Sequence, residues 1–521
     1  MTVHLSIDGK ETAVAGGTVL EAAHGLGVEI PTLCWAEGCP PFTSCMLCVV
    51  EERATGRLIP ACSAPAENGM RVETDNARVR EARRAALELL LSDHRGDCEG
   101  PCRRACPAHL DIPRMLRLLA AGDWPRAVAV VRETIPFAAV LGRVCPAPCE
   151  KACRRGAHDA AVAVCLLKRA VGDYGLAAGT LPVCAGPTGR RVAVVGGGPA
   201  GATAAWYLRA AGHGCTLFEA GDGLGGRLRD AVGPERLPPA ILEAELGLVQ
   251  RLGCEVRTRT RLGREVSLDG LAAEFDAVVV ATGQPGEGDA AAFGLAATEG
   301  GRLARDRGTL SSARAGVFIA GAAGGSCRMA VQAVAEGRRA ALAADGWLRT
   351  GQAGVAPTGF DSRLGHIEGE ELAALLAEAD GRGRVTPATP AGGYTEAEAA
   401  AESARCLRCD CRKPHTCRLR AYAAEYGARQ AQYHAAERRR VERILDDPRL
   451  VYEPGKCIAC GLCVRITQRA GERLGLGFAG RGFATKVTVP FGEPLSAGLE
   501  KCAAACVEAC PTGALAWREG E

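Results

Sequence analysis

Aromatic residues are scarce in this chain of 521 residues, at 4%, while Ala, Gly and Arg are abundant, a bias that mostly reflects base composition. Excess charge of either sign is also missing. The formal net charge is +3, so nothing points to nucleic acid or to an anionic membrane surface. No uninterrupted apolar run reaches the roughly 20 residues of a membrane span. The first residues, Met1-Thr-Val-His-Leu-Ser-Ile-Asp8, lack the basic and apolar stretches of a secretory signal, which leads us to expect a cytoplasmic protein. What the chain has in quantity is cysteine: 26 residues, most of them in tight groups. In a chain with no export signal, such groups read as ligands of metals or clusters rather than as disulfides. The length allows three or four domains.

The first module covers about residues 1–80. Thr2–Ile7 alternates like a strand, Asp8-Gly9 is a hairpin turn signal, and a helix is expected from Glu21. Cys34, Cys45, Cys48 and Cys62 have the spacing C-x10-C-x2-C-x13-C. Four thiolates around a small sheet suit a 2Fe–2S cluster, because each iron takes two ligands. The module resembles the N-terminal ferredoxin-like domain of the large iron–sulfur subunit of NADH:quinone oxidoreductase and of iron-only hydrogenases, which implies a β-grasp fold. Structural zinc is the alternative. Cys39 lies outside the pattern.

Residues 81–185 carry His94-x3-Cys98-x3-Cys102-x3-Cys106-Pro, two amphipathic helices starting near Asp111 and Trp124, and then Cys145-Pro-Ala-Pro-Cys149-Glu-Lys-Ala-Cys153. This stretch is similar to the cluster domain of the glutamate synthase small subunit and of dihydropyrimidine dehydrogenase. That resemblance implies a helical domain with two 4Fe–4S clusters, one on Cys98, Cys102 and Cys153, the other on Cys106, Cys145 and Cys149. The fourth ligands depart from the family. His94 stands upstream where a cysteine is usual, and we expect it to ligate, as a histidine does in the complex I type subunit. A helix-end histidine is the bland reading. For the second cluster the family's Gln or Glu aligns with Lys168, a poor ligand. Cys165, three residues earlier on the same helical face, is the expected substitute.

The third module, residues 186–350, opens with strand Arg191–Val195 and Gly196-Gly-Gly-Pro-Ala-Gly201, which fits G-x-G-x-x-G. Glycines there allow a tight turn and close approach of backbone to a pyrophosphate at the helix N-terminus. The next strand ends at Glu219, placed to bond ribose hydroxyls, and Gly225-Gly226-Arg227 follows. With Ala281-Thr282-Gly283 and Gly316–Gly321, the pattern resembles the FAD domain of the glutamate synthase small subunit. The binding residues this implies are Gly196, Gly198, Pro199, Ala200, Gly201, Glu219, Gly225, Gly226, Arg227, Ala281, Thr282, Gly283 and Gly321. In that family a nicotinamide domain follows the Ala-Thr-Gly. Here only about thirty residues separate Gly283 from Gly316, room for one βαβ unit at most. Ala322 replaces the Asp that bonds the ribityl chain in the family, a loss of about 1–2 kcal/mol. Cys215, Cys254 and Cys327 read as buried bystanders.

Residues 351–400 read as a linker with one short helix, Glu370–Ala377. Residues 401–450 hold Cys406, Cys409, Cys411 and Cys417, a compact knot that suits either a 4Fe–4S cluster or zinc. A charged helix is expected over Leu419–Leu445. In residues 451–521, Cys457, Cys460 and Cys463 form a ferredoxin half-motif. The Cys510 that precedes proline completes its 4Fe–4S cluster. The second half-motif is degraded, with Thr467 and Ala503 at ligand positions.

The fold class expected is thus multidomain α/β and α+β: a β-grasp 2Fe–2S domain, a helical 4Fe–4S domain, a Rossmann-type FAD domain and a ferredoxin-like tail. The cofactors are FAD, one 2Fe–2S cluster and three to four 4Fe–4S clusters. No residue reads as a catalytic acid, base or nucleophile. The resemblances imply an electron-transfer subunit of an anaerobic formate dehydrogenase- or hydrogenase-like complex. Its expected partners are an NADH-oxidising flavoprotein and a molybdenum, tungsten or hydrogenase-type catalytic subunit. The alternatives are a self-contained NAD(P)H oxidoreductase and a bifurcating flavin subunit.

Overall fold

The computed structural model describes residues 2–325, 327–355, 359–389, 391–433 and 438–519. The chain divides into two compact units. One comprises residues 1–100, 358–378 and 408–521; the other comprises 101–357 and 379–407. This division cuts through two of the expected modules. Residues 81–100 separate from the helical domain, and the four-cysteine knot is split between Cys406 and Cys409.

In the first unit, a five-stranded sheet has the order Lys10–Val14, Val3–Ile7, Arg71–Glu73, Val49–Glu52, Arg57–Pro60. Only the Val3–Ile7 and Arg71–Glu73 pair is parallel. Asp8 and Gly9 both have positive φ, as the tight hairpin requires. The helix starts earlier than expected, at Val19. Thr18 and Glu21 form a reciprocal capping box that draws Val19 and Leu20 into its first turn. Leu5, Ile7, Leu20, Val50 and Val72 close the core. Helix Ala77–Ser92 is anchored by buried Arg83, which donates to Val49 O at 2.9 Å and to the Tyr426 hydroxyl at 3.0 Å. The C-terminal part pairs Leu450–Tyr452 with Leu515–Trp517, antiparallel, beside helices Leu462–Arg469 and Ala503–Ala509. The expected helix over Leu419–Leu445 shrinks to Arg418–Glu425. Gly427, at φ +62°, ends it, and the described residues beyond are irregular.

The second unit joins a helical layer to a parallel sheet. Helices Ile112–Ala120 and Trp124–Arg132 are N-capped by Asp111 and Asp123, whose carboxylates accept from Arg114 and Arg126 N–H. Helices Ala138–Val144 and Val164–Ala177 cross closely. A Cβ on Gly172 would collide with the Ala139 backbone, and one on Gly142 with the Arg169 backbone. The sheet order is Val317–Ile319, Ala277–Val280, Arg191–Val195, Gly214–Phe218, Glu255–Arg257, all parallel. Ala277–Val280 and Val317–Ile319 are direct neighbours. The chain between them forms one four-residue helix, Asp289–Ala292, and no strand beyond isolated bridges.

Glu245, on helix Pro239–Arg251, is fully buried and caps Ala138–Val144. Its carboxylate accepts the Ala139 N–H at 2.7 Å and the Val140 N–H at 2.6 Å. Burial pushes this carboxyl up to about 7, against the pull of those two donors. A raised native pKa favours the protonated folded state, so its stabilisation is full below the unfolded value near 4.5 and is lost as pH rises to about 7. Glu245→Gln removes that slope, worth up to about 3 kcal/mol. It also destabilises at every pH by about 1–3 kcal/mol, because an amide N–H meets a backbone donor. Unfolding midpoints of both chains from pH 4.5 to 8 check this; parallel profiles would refute it.

Candidate cluster and dinucleotide sites

The first cysteine group is gathered on the loop between helix Val19–Gly25 and strand Val49–Glu52, with Cys62 just after strand Arg57–Pro60. All four thiols are buried. Their sulfurs associate as two hydrogen-bonded pairs, Cys34 with Cys45 and Cys48 with Cys62. In each pair the bond lowers one thiol and raises its neighbour. Two pairs are the arrangement that two irons need, each holding two cysteines. Cys39 is buried outside the pairs.

In the tail, Cys457, Cys460, Cys463 and Cys510 all line one apolar cavity, with Tyr452, Leu476 and Leu495 among its walls. Burial raises the Cys457, Cys460 and Cys463 thiols, so cluster assembly there must expel protons. Thr467 is buried and satisfied internally. Its hydroxyl donates to Val464 O at 2.8 Å and accepts the Leu476 N–H at 3.1 Å. Cys502 and Cys506 lie 3.9 Å apart at sulfur, and Cys502 bonds the Glu472 carboxylate. The tail group adjoins the first group within the same unit. Arg465 donates to Cys34 O at 2.7 Å and to Cys460 O at 3.2 Å, and Cys34, Cys45 and Cys460 share one hydrophobic cluster.

In the second unit, Cys106, Cys145, Cys149 and Cys165 surround one cation. Lys168 is buried and donates to Cys165 Sγ at 3.6 Å. Burial works against its ammonium, but Cys165, Cys145, Cys149 and Cys106 outweigh it and hold the pKa above its ordinary value. Cys165 Sγ is hydrogen-bonded to Cys145, whose thiol is lowered to about 6 by that contact. Lys168 thus sits where a family ligand would, as a charge partner of the thiols.

Cys102, Cys153 and Cys406 pack on the same helical core. Sequence spacing placed Cys406 in the C-terminal knot, whereas the fold carries it here by a buried ion network. Arg155 and Arg405 are fully buried, and both bond Asp159. Arg155 also donates to Arg405 O at 3.0 Å, and Arg405 to Glu402 at 2.8 Å. The segments bearing Cys153 and Cys406 are thereby tied together. The signal in the sequence was the arginine beside each cysteine motif.

A third feature was invisible in the sequence. Residues at positive φ interrupt several cysteine turns: Met46, Ala147, Arg408 and Ala459. None is glycine, and each such residue costs on the order of 1–2 kcal/mol.

The glycine motif folds as expected. A Cβ on Gly196 would collide with Ala281 O, and one on Gly201 with Gly196 O, so backbone meets backbone at the mouth of a cavity of about 350 Å³. Of the expected binding residues, Gly196, Gly198, Pro199, Ala200, Glu219, Gly226, Arg227, Ala281, Thr282 and Gly283 line it; Gly225 and Gly321 shape its turns, and Gly201 lets helix Pro199–Ala210 approach Gly196. Glu219 accepts the Gly197 N–H at 2.6 Å and the Gly221 N–H at 2.7 Å. Ala322 lines the cavity and supplies no carboxylate. Cys327, expected to be a buried bystander, is only half-buried and forms part of the wall. Cys215 and Cys254 are buried side by side.

Comparison with known proteins agrees with this layout. Residues 1–77 match the 2Fe-2S iron-sulfur cluster binding domain family, and residues 73–180 match dihydropyrimidine dehydrogenase domain II, 4Fe-4S cluster. Residues 194–243 match the NAD(P)-binding Rossmann-like domain family. The chain carries two iron–sulfur domains and a Rossmann-like dinucleotide domain. Among its relatives, NADP(+)-dependent formate dehydrogenase subunit beta of Moorella thermoacetica is 38% identical over 206 residues, 35% of this chain and 29% of that one. NADPH-Fe(3+) oxidoreductase subunit beta of Geobacter sulfurreducens is 36% identical over 188 residues, 35% and 28%. The glutamate synthase [NADPH] small chain of Bacillus subtilis is 36% identical over 180 residues, 34% and 36%. The chain therefore spans only about a third of the length of these relatives. Among the described residues no helix is long and apolar enough to cross a membrane.

Two outcomes follow. Lys168→Met removes a positive charge beside the Cys106, Cys145, Cys149 and Cys165 group. It lowers the reduction potential of a cluster held there by tens of millivolts, read by redox titration with EPR detection; an unshifted potential refutes the charge-partner role. Ala459→Gly relieves a left-handed residue and slows iron loss to a chelator, by up to about 1–2 kcal/mol of stability. Faster loss would show that the turn is not strained.

Proposed function

We propose that this chain is an iron–sulfur flavoprotein relay, passing electrons between an NADH-oxidising flavoprotein subunit and a second redox subunit of formate dehydrogenase or hydrogenase type. The relatives' beta and small chains support this reading. FAD is its dinucleotide, held by the Gly196–Gly201 turn, Glu219 and Gly225–Arg227. Bound there, FAD supplies exchange between two-electron and one-electron steps. The protein's part is to cradle the pyrophosphate at the N-terminus of helix Pro199–Ala210 and to present Glu219 to ribose.

The observation that carries the reading is the direct pairing of Ala277–Val280 with Val317–Ile319. The intervening chain adds no second sheet to seat a nicotinamide. A partner must then take the hydride, and single electrons reach or leave FAD through clusters. One 2Fe–2S cluster on Cys34, Cys45, Cys48 and Cys62 and one 4Fe–4S cluster on Cys457, Cys460, Cys463 and Cys510 form consecutive steps, joined at Arg465. A further 4Fe–4S cluster on Cys106, Cys145, Cys149 and Cys165 lies in the unit that holds the flavin.

Anaerobic purification of the full chain tests the reading. Dithionite bleaches flavin and cluster absorbance, whereas NADH or NADPH alone does not. Adding the co-purifying flavoprotein makes NADH effective. Bleaching of the lone chain by NADPH overturns the relay in favour of a self-contained oxidoreductase.

A further inference from the structure

Three thiols in the first unit gather in a grouping that their spacing does not announce. Cys411 N–H donates to Cys98 O at 3.3 Å, and the Cys417 thiol lies in the electrostatic range of both Cys98 and Cys411. All three are buried, with exposures of 7–8%. All are free thiols. The backbone around them is shaped to sulfur. Ser362 N–H points at Cys98 Sγ, at 3.3 Å, and Ser362 O receives the Cys98 N–H at 3.1 Å. A Cβ on Gly513 would collide with Cys411 Sγ, so that position must be glycine. An N–H donated to a ligand sulfur and a side chain kept clear of it are marks of cluster pockets.

An independent observation comes from His94. Its ring makes a hydrogen bond with the Lys456 backbone. Its Nδ1 is buried without a hydrogen-bond partner. An imidazole with one nitrogen held by backbone and the other buried without a partner has the arrangement of a metal-ligating histidine. Lys456, against which it rests, is itself within the electrostatic range of Cys411. The Lys456 ammonium is paired with buried Glu453 at 2.5 Å, so the cationic side of the pocket is fixed.

We propose that Cys98, Cys411 and Cys417, with His94 as fourth ligand, hold a 4Fe–4S cluster within the first unit, adjacent to the tail cluster. The adjacency rests on Cys417, which also lies in the electrostatic range of Cys510 and shares a hydrophobic cluster with Cys460. This takes Cys98 out of the set with Cys102 and Cys153, and splits Cys411 and Cys417 from Cys406. Among the described residues no three His, Cys, Asp or Glu side chains converge as a single ion requires. A cluster takes its four ligands at separate corners, and zinc is the alternative that the test separates. The inference stands on these residues alone and does not need the relay reading.

The test uses the full chain purified anaerobically, with Cys411→Ser, Cys417→Ser and, as control, the exposed Cys184→Ser. Each of the first two loses about four irons per chain relative to the control, and the EPR signal of the reduced tail cluster sharpens as its paramagnetic neighbour disappears. Unchanged iron in both variants, or zinc bound in the parent chain in place of those irons, overturns the proposal. The parent chain provides a readout that does not depend on variant folding. With 15N-labelled histidine, pulsed EPR of the reduced protein shows a strongly coupled imidazole nitrogen. Its absence removes His94 from the ligand set.

Discussion

Everything in this chain answers to one geometric demand: thiols only two or three residues apart must converge on a volume larger than a single ion. A regular strand cannot do this, and a helix brings i, i+3 and i, i+4 side chains to one face without closing three or four of them around a common centre. The chain solves it with turns whose residues adopt left-handed conformations, at Met46, Ala147, Arg408 and Ala459. Such conformations cost energy for non-glycine residues and persist only where surroundings over-determine them. The surroundings here are stiff. Arg155 and Arg405 lock the segments that carry Cys153 and Cys406. Glu245 fixes the helix that delivers Cys145. The metal–thiolate bonds themselves would repay the rest, since cluster binding free energy is also folding free energy.

The same demand explains the buried cations. Lys168, Lys413 and Lys456 are almost wholly buried, a rare placement for lysine. Each has a thiolate-bearing turn beside it. Lys168 is surrounded by four cysteines. Lys413 donates to Val507 O and Cys510 O at 2.8 and 2.9 Å, and Lys456 stands between Glu453 and Cys411. An isolated ammonium in such a place would be costly. Next to an anionic cluster it would be compensated, and it would tune the potential at which that cluster accepts an electron.

What could be read from the sequence was local. Motif spacing within one turn showed the cysteine groups, the glycine turn, Glu219 and the short path from Gly283 to Gly316, because each depends on a few consecutive residues. The groupings between distant motifs could not be read. Cys406 and Cys411 are five residues apart, yet one packs with Cys102 and Cys153 and the other with Cys98, because long-range burial decides each partner. No local pattern marks Glu245; only the fold brings it under Ala139. The expected helix over Leu419–Leu445 followed its charge pattern, but Gly427 and the lack of an apolar face to bury ended it after two turns.

Within the first unit the order of the sites has a consequence. Arg465 bonds the tail group to the first cysteine group, and Cys417, of the Cys98, Cys411 and Cys417 group, lies within electrostatic range of Cys510. On the proposed ligand sets the tail ferredoxin motif would be the junction of this unit rather than its outlet. That fits its half-degraded sequence. A two-cluster ferredoxin carries its own second step. Here Thr467 and Ala503 close the second site, and neighbours drawn from elsewhere in the chain replace it on two sides. On those assignments, one cluster with two neighbouring groups would make this part a fixed link in a longer path rather than a self-contained carrier. The contacts that make it so, Arg465 and Cys417, lie outside the ferredoxin ligand pattern.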